Sequence, residues 1–126
     1  MPTSQDLKNR GTGSVHIPAA SIATDTTTNP AASLEVGDAV SILFLLASGA
    51  WTDGAYAPNI QESDDDSAWT EVSADRIIGA ETAIGAANTM VTVGVHPTKK
   101  YVRCQVVSVS TSTGAIIGVN ALKQTS

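Results

Sequence analysis

Cysteine is almost absent: Cys104 is the only one in 126 residues, so no internal disulfide can staple the chain. Aromatic side chains make up only 4% and charged ones 15%. Ala, Ser, Thr, Gly and Val stand where a helical protein uses Leu, Glu, Lys and Arg, which is a β-structure bias. Positive charge is the scarcer sign. Seven Lys and Arg against twelve Asp and Glu leave a net charge of −5, and the seven are scattered, which argues against a nucleic-acid surface. Long apolar runs are lacking too: Ala39 to Ala47 is about half of the roughly 20 residues that a membrane-spanning helix needs. No membrane partner is expected. Met1 to Arg10 is polar and has no apolar segment of the kind that secretion requires, so synthesis in the cytoplasm is the expectation.

Catalytic patterns are missing as well. No serine sits in a nucleophile elbow, and no glycine-rich phosphate loop follows a predicted strand. His16 and His96 lie eighty positions apart, with no second nitrogen or thiolate ligand spaced near either to make a zinc site. Glu62 with Asp64, Asp65 and Asp66 has the oxygen chemistry that Ca²⁺ prefers, but the glycine and distal glutamate of an EF-hand loop are absent, and a solvated turn is the reading. The sequence predicts no enzyme, no cofactor and no metal.

What is present is organised around Gly49 to Val72, which holds both tryptophans, Tyr56 and the Asp64–Asp66 run. Asp53-Gly54 is a strong turn dipeptide, since glycine accepts positive φ and the Asp side chain can bond nearby backbone. Tyr56, Pro58 and Ile60 share one face of the extended piece that follows, and the acidic run marks a second reversal before Trp69. Upstream, Val40, Ile42, Phe44 and Leu46 occupy one face and Leu43 and Leu45 the other, which predicts a central strand covered on both sides for part of its length. Downstream, Thr89 to Val95 alternates. In Tyr101 to Val109 the inward positions are Val102, Cys104 and Val106, with Tyr101, Arg103 and Gln105 outward, so Cys104 reads as a buried small hydrophobe. Ala115 to Leu122 closes the sheet. In Ser14 to Ala23, Val15, Ile17, Ala19 and Ser21 face one way, and Pro18 demotes the strand to an edge.

Seven or eight short strands at intervals of about ten residues predict an all-β domain, a single antiparallel β-sandwich of jelly-roll character over residues 14–126. Residues 1–13 read as a flexible N-terminal arm hinged at Gly11 and Gly13. They carry too little apolar surface to offset an ordering cost of roughly 1 to 2 kcal/mol per residue. Leu7 is its natural anchor on a neighbour, and Lys8 and Arg10 are its charge partners. Trp51 and Trp69 fit two descriptions, core packing at strand ends or an exposed sugar-stacking platform.

The run Asp53 to Val72, followed by Ile77-Ile78-Gly79 and later by Lys100-Tyr101-Val102-Arg103, resembles a family of small virion structural proteins encoded among the head genes of tailed bacteriophages. The resemblance covers about the last two thirds of the chain and brings no catalytic residues. It implies a cement or decoration protein, made in the host cytoplasm, that binds the major capsid protein on the outside of the assembled head as a homo-oligomer on the lattice. The arm residues and the turn at Glu62, Asp64, Asp65 and Asp66 are the candidate contacts. The Ser-Asp-rich turn before Trp69-Thr70 and the Tyr101-Val102-Arg103 strand also resemble discoidin-like carbohydrate-binding sandwiches. That shorter likeness implies a sugar platform at Trp51 or Trp69; another head or tail structural component is the remaining alternative.

Overall fold

The computed structural model describes residues 11–125, so Leu7, Lys8, Arg10 and the rest of the expected arm before Gly11 lie outside the described residues. The expected hinge at Gly11 and Gly13 is corrected. Strand β1 spans Gly11–Ile22 and pairs from its first residue, with Gly11 opposite Gln124 and Gly13 opposite Leu122. Glycines that look like a hinge in isolation are held extended here, because the last strand supplies their ladder partners.

After β1 come β2 (Thr27–Thr28), β3 (Leu34–Glu35), β4 (Ala39–Trp51), β5 (Ala55–Ser63), β6 (Thr70–Glu71), a 3-10 turn at Ala74–Arg76, β7 (Ile77–Ile78), β8 (Met90–Val95), β9 (Tyr101–Val109) and β10 (Ala115–Thr125). A front sheet runs β1-β10-β4-β8-β7, and a back sheet runs β2-β9-β5-β6 with β3 also on β9. All pairings are antiparallel. With β2 and β3 taken as halves of one strand, pairing is nested: β1 with β10, β2/β3 with β9, β4 with β8, β5 with β6. Nested pairing of this kind is a jelly roll. The expected all-β antiparallel sandwich is the fold found, and its strand count exceeds seven or eight because two-residue strands share the edges.

The core lies between the sheets. Ile42, Phe44 and Leu46 from β4, Val93 and Val95 from β8, Ile117 and Val119 from β10 face Tyr56 and Ile60 from β5 and Val102, Cys104 and Val106 from β9. Period-2 alternation sets this division, and every inward position named for β9 is buried. Burial pushes the Cys104 thiol up to about 12, so it stays protonated. Pro58 sits inside β5, where a missing N–H ought to break a ladder. Its neighbours explain the tolerance: the Tyr56 N–H bonds the Ile84 carbonyl and the Ile60 N–H bonds Glu81 Oε2, so even-numbered residues of β5 point their donors away from β9. Pro58 therefore removes a donor that the β9 ladder does not use.

Three expectations are revised. Val40 does not join the inward row of β4 but is exposed at the strand's start, and Leu43 and Leu45 are half-buried on an outer face that no other described element covers. In β1 the simple alternation fails: register shifts between Val15 and Ile17 and between Ile17 and Ala20 turn His16 and Ile17 both inward and leave Val15 exposed. A bulge inserts one residue and so inverts the faces beyond it. Finally, the Asp53-Gly54 reversal does not make a hairpin within one sheet. It carries the chain from β4 in the front sheet to β5 in the back sheet.

Candidate functional site

The turns that join the sheets gather at two ends. At the upper end Gly54, at φ 96, has its Cα against Tyr56; an added Cβ would lie 2.7 Å from the Tyr56 hydroxyl and 2.5 Å from Thr111 Oγ1. No other residue fits there. The neighbouring Asp53 carboxylate accepts the backbone N–H groups of Ser112, Thr113 and Gly114, at 3.1, 3.1 and 2.8 Å, and the Ser112 hydroxyl at 2.8 Å. Those donors, the Gly114 N–H first, hold its pKa down at about 2. Trp51 donates its indole N–H to the Gly54 carbonyl at 3.0 Å and packs against the core. This end is a clasp between two turns.

The lower end carries the acidic turn between β5 and β6. Glu62, an expected surface contact, is instead buried, with its side chain 3% exposed. Arg76 grips it with both terminal nitrogens, Nη1 to Oε2 at 2.9 Å and Nη2 to Oε1, and this guanidinium holds the carboxyl below its ordinary range. The physical reason for the correction is register: Glu62 follows Ile60 on the inward face of β5, so it needs a cation at the sheet's end, and the 3-10 turn delivers one. Asp65 folds the turn on itself, accepting from the Ser67 and Ala68 N–H groups at 3.0 and 2.9 Å and from the Ser63 hydroxyl at 2.9 Å. The Ala68 N–H and its companions lower its pKa. Asp66, at φ 61, accepts from the Ser33 hydroxyl. Asp64 is 75% exposed, with Lys99 Nζ 3.6 Å away. Of the four acidic candidates Glu62 alone is buried; Asp64, Asp65 and Asp66 are all exposed, with Asp65 and Asp66 engaged in the turn's own hydrogen bonds and Asp64 facing Lys99. Among the described residues no group of three or more His, Cys, Asp or Glu side chains is arranged to hold a metal ion.

The two tryptophans are not brought together. Trp51 precedes β5 and Trp69 follows its far end, and nine residues of strand separate their ends by roughly 25 Å. Trp69 lies beside the outer face of the back sheet, where the Arg103 guanidinium stacks 4.3 Å from its ring centre. Arg103 also donates twice to Gln61 Oε1, at 2.9 and 2.7 Å. Next along the same face Asn59 donates to Gln105 Oε1 at 3.0 Å, and Gln105 donates to Asn29 Oδ1. This amide strip was not legible from sequence. Alternation places Asn59 and Gln61, or Arg103 and Gln105, on one face of their own strands, but the Gln61–Arg103 and Asn59–Gln105 register depends on tertiary pairing.

No family model matches the chain, and no curated protein matches it.

Proposed function

We propose that the protein is a non-enzymatic structural component of a tailed-phage virion, a cement or decoration protein that binds the major capsid protein on the outer surface of the head. The observation that carries this reading is the resemblance at residues 53–72, 77–79 and 100–103. It is supported by the adjacency of the first and last of these stretches: Gln61 pairs with Arg103 and Ser63 with Tyr101 in the back sheet, whereas Ile77 and Ile78 pair with β8 in the front sheet. Asp64 and Lys99 at the lower end, and residues 1–10, which enter the domain at the same end, are the contacts we assign to the capsid. An acidic protein of net charge −5 stays soluble at high copy number and complements basic patches on a shell. Mass spectrometry of virions from a phage carrying this gene should recover the chain at a copy number near that of the capsid subunit. Adding the protein to heads that lack it should raise their resistance to heat. Absence from particles, or unchanged head stability, refutes the reading.

The amide strip beside Trp69 favours one second reading, a carbohydrate-binding module. Sugars are bound by planar amides and aromatic faces, and Gln61, Asn59 and Trp69 offer both. Quenching or enhancement of tryptophan fluorescence by a glycan, lost in Trp69→Ala and paired with no affinity for heads, reverses the ranking.

A further inference from the structure

We propose that the outer face of the front sheet is the contact between two copies of this chain. The face is uncharged in an acidic protein. Strands β1, β4, β7 and β8 contain no Asp, Glu, Lys or Arg, and the single such residue of β10, Lys123, turns its amine to the Glu35 carbonyl at 2.8 Å. The back sheet, by contrast, carries Arg103 and Glu71 on its strands. Apolar side chains fill the uncharged face: Val15 is 66% exposed and Met90 59%, and Leu43, Leu45 and Leu122 are half-buried between them.

Shape points the same way. Leu43 and Leu122 are cross-strand partners; Leu122 lines two grooves, one of about 440 Å³ with Val15 and Leu45 and one of about 180 Å³ with Leu43, Ile78 and Gly94. A ridge flanked by grooves is self-complementary under a two-fold axis, since the ridge of one copy fits a groove of the other. Strands of 12, 11, 13, 6 and 2 residues, at about 3.3 Å per residue and a spacing of about 4.8 Å, give a projected face on the order of 700 Å². Accessible area exceeds projected area, so this approaches the roughly 800 Å² per partner that a stable interface buries.

Charge selects the occupant. A basic partner would be recognised by carboxylates and an acidic one by cations, and this face has neither. Residues 1–10 bring Asp6, Lys8 and Arg10 with one large aliphatic side chain, Leu7, and would set charges against apolar surface. A second copy brings the same uncharged face, with its acidic groups held away from the contact. The inference stands apart from the capsid reading, because it concerns the free protein.

Sedimentation equilibrium of the full chain should give twice the 12.9 kDa chain mass, with a dissociation constant that tightens as salt screens the net charge. The variants Val15→Lys and Met90→Lys, both at well-exposed positions, should each weaken the dimer by roughly 100-fold through the buried ammonium, with far-UV circular dichroism unchanged. A monomeric wild type up to hundreds of micromolar overturns the proposal. So does a dimer that both lysine variants leave intact, which would put the contact elsewhere. A full chain that is monomeric until residues 2–10 are removed overturns it as well, by showing that the chain covers its own face.

Discussion

The ring of His16 is 5% exposed and lies tilted on Phe44 with ring centres 5.1 Å apart. Its Nε2 accepts the Cys104 N–H at 2.9 Å, and sheet register explains why that N–H is available. Ile60, opposite Cys104, sends its own N–H to Glu81, so the pair is not bonded across β5 and β9. Cys104 therefore points its donor at the edge where β2 pairs Val106 and Val107 and β3 pairs Tyr101 and Val102. His16 fills the gap between them from the opposite sheet. An imidazole that accepts at Nε2 is neutral, and burial lowers its pKa from 6.5 to about 4. The unfolded chain thus takes up a proton in a range where the folded one does not, and stability present above pH 6.5 falls as pH drops toward 4. After allowance for solvent screening the loss is about 2 kcal/mol. Urea midpoints at pH 7 and pH 4.5 should differ in the wild type, and the part due to this ring should vanish in His16→Gln. The neighbouring Phe44 is fully buried. Phe44→Ala should cost about 3 to 5 kcal/mol in denaturant unfolding, and an unchanged midpoint would show that β4 is not the core strand.

At the scale of elements, the Glu62–Arg76 pair ties β5 to the 3-10 turn, and Thr98 Oγ1 adds a longer contact to Glu62 at 3.4 Å. A paired carboxylate on the inward face gives little net stability, but leaving it alone is costly. Arg76→Met should therefore destabilise by about 2 kcal/mol, and Glu62→Leu with Arg76→Met should recover most of that loss. A double variant as unstable as the sum of the singles would mean that the two side chains act independently. Sequence predicted β8 and β9 because Val91, Val93 and Val95, and Val102, Cys104 and Val106, keep strict period 2. It misjudged β1, since a bulge at His16 leaves no compositional trace and Val15 looks as inward as Ile17. It placed Glu62 in the exposed turn because acidic neighbours mask a residue whose strand parity is inward. The Asp53 clasp was invisible for another reason: the turn dipeptide was plain, but its partners lie some sixty positions away, and only the jelly-roll path brings them together.

The molecule as a whole separates its surfaces by chemistry. The front face is apolar and uncharged, the back face carries amides and a stacked arginine, and the lower end collects Asp64, Lys99, Arg76 and the point where residues 1–10 enter at Gly11. A protein set on a lattice needs separate contacts for itself and for the shell, and on our reading the front face serves the first and the lower end the second. The core cluster is drawn from Ile17 to Ala121, within the described domain, and among the described residues no buried side-chain nitrogen or oxygen lacks a hydrogen-bond partner. Deleting residues 2–10 should leave the melting temperature nearly unchanged, whereas a cut through Gly13 also removes the pairing of Gly11 and Gly13 with Gln124 and Leu122 and should lower it. With the shorter deletion, occupancy on heads should fall while the two-copy state persists, because Leu7, Lys8 and Arg10 are assigned to the shell and the front face is left whole. If that truncated protein decorates heads as fully as the complete chain, the shell contact lies in the domain itself, and charge reversal at Asp64 and Lys99 becomes the decisive measurement.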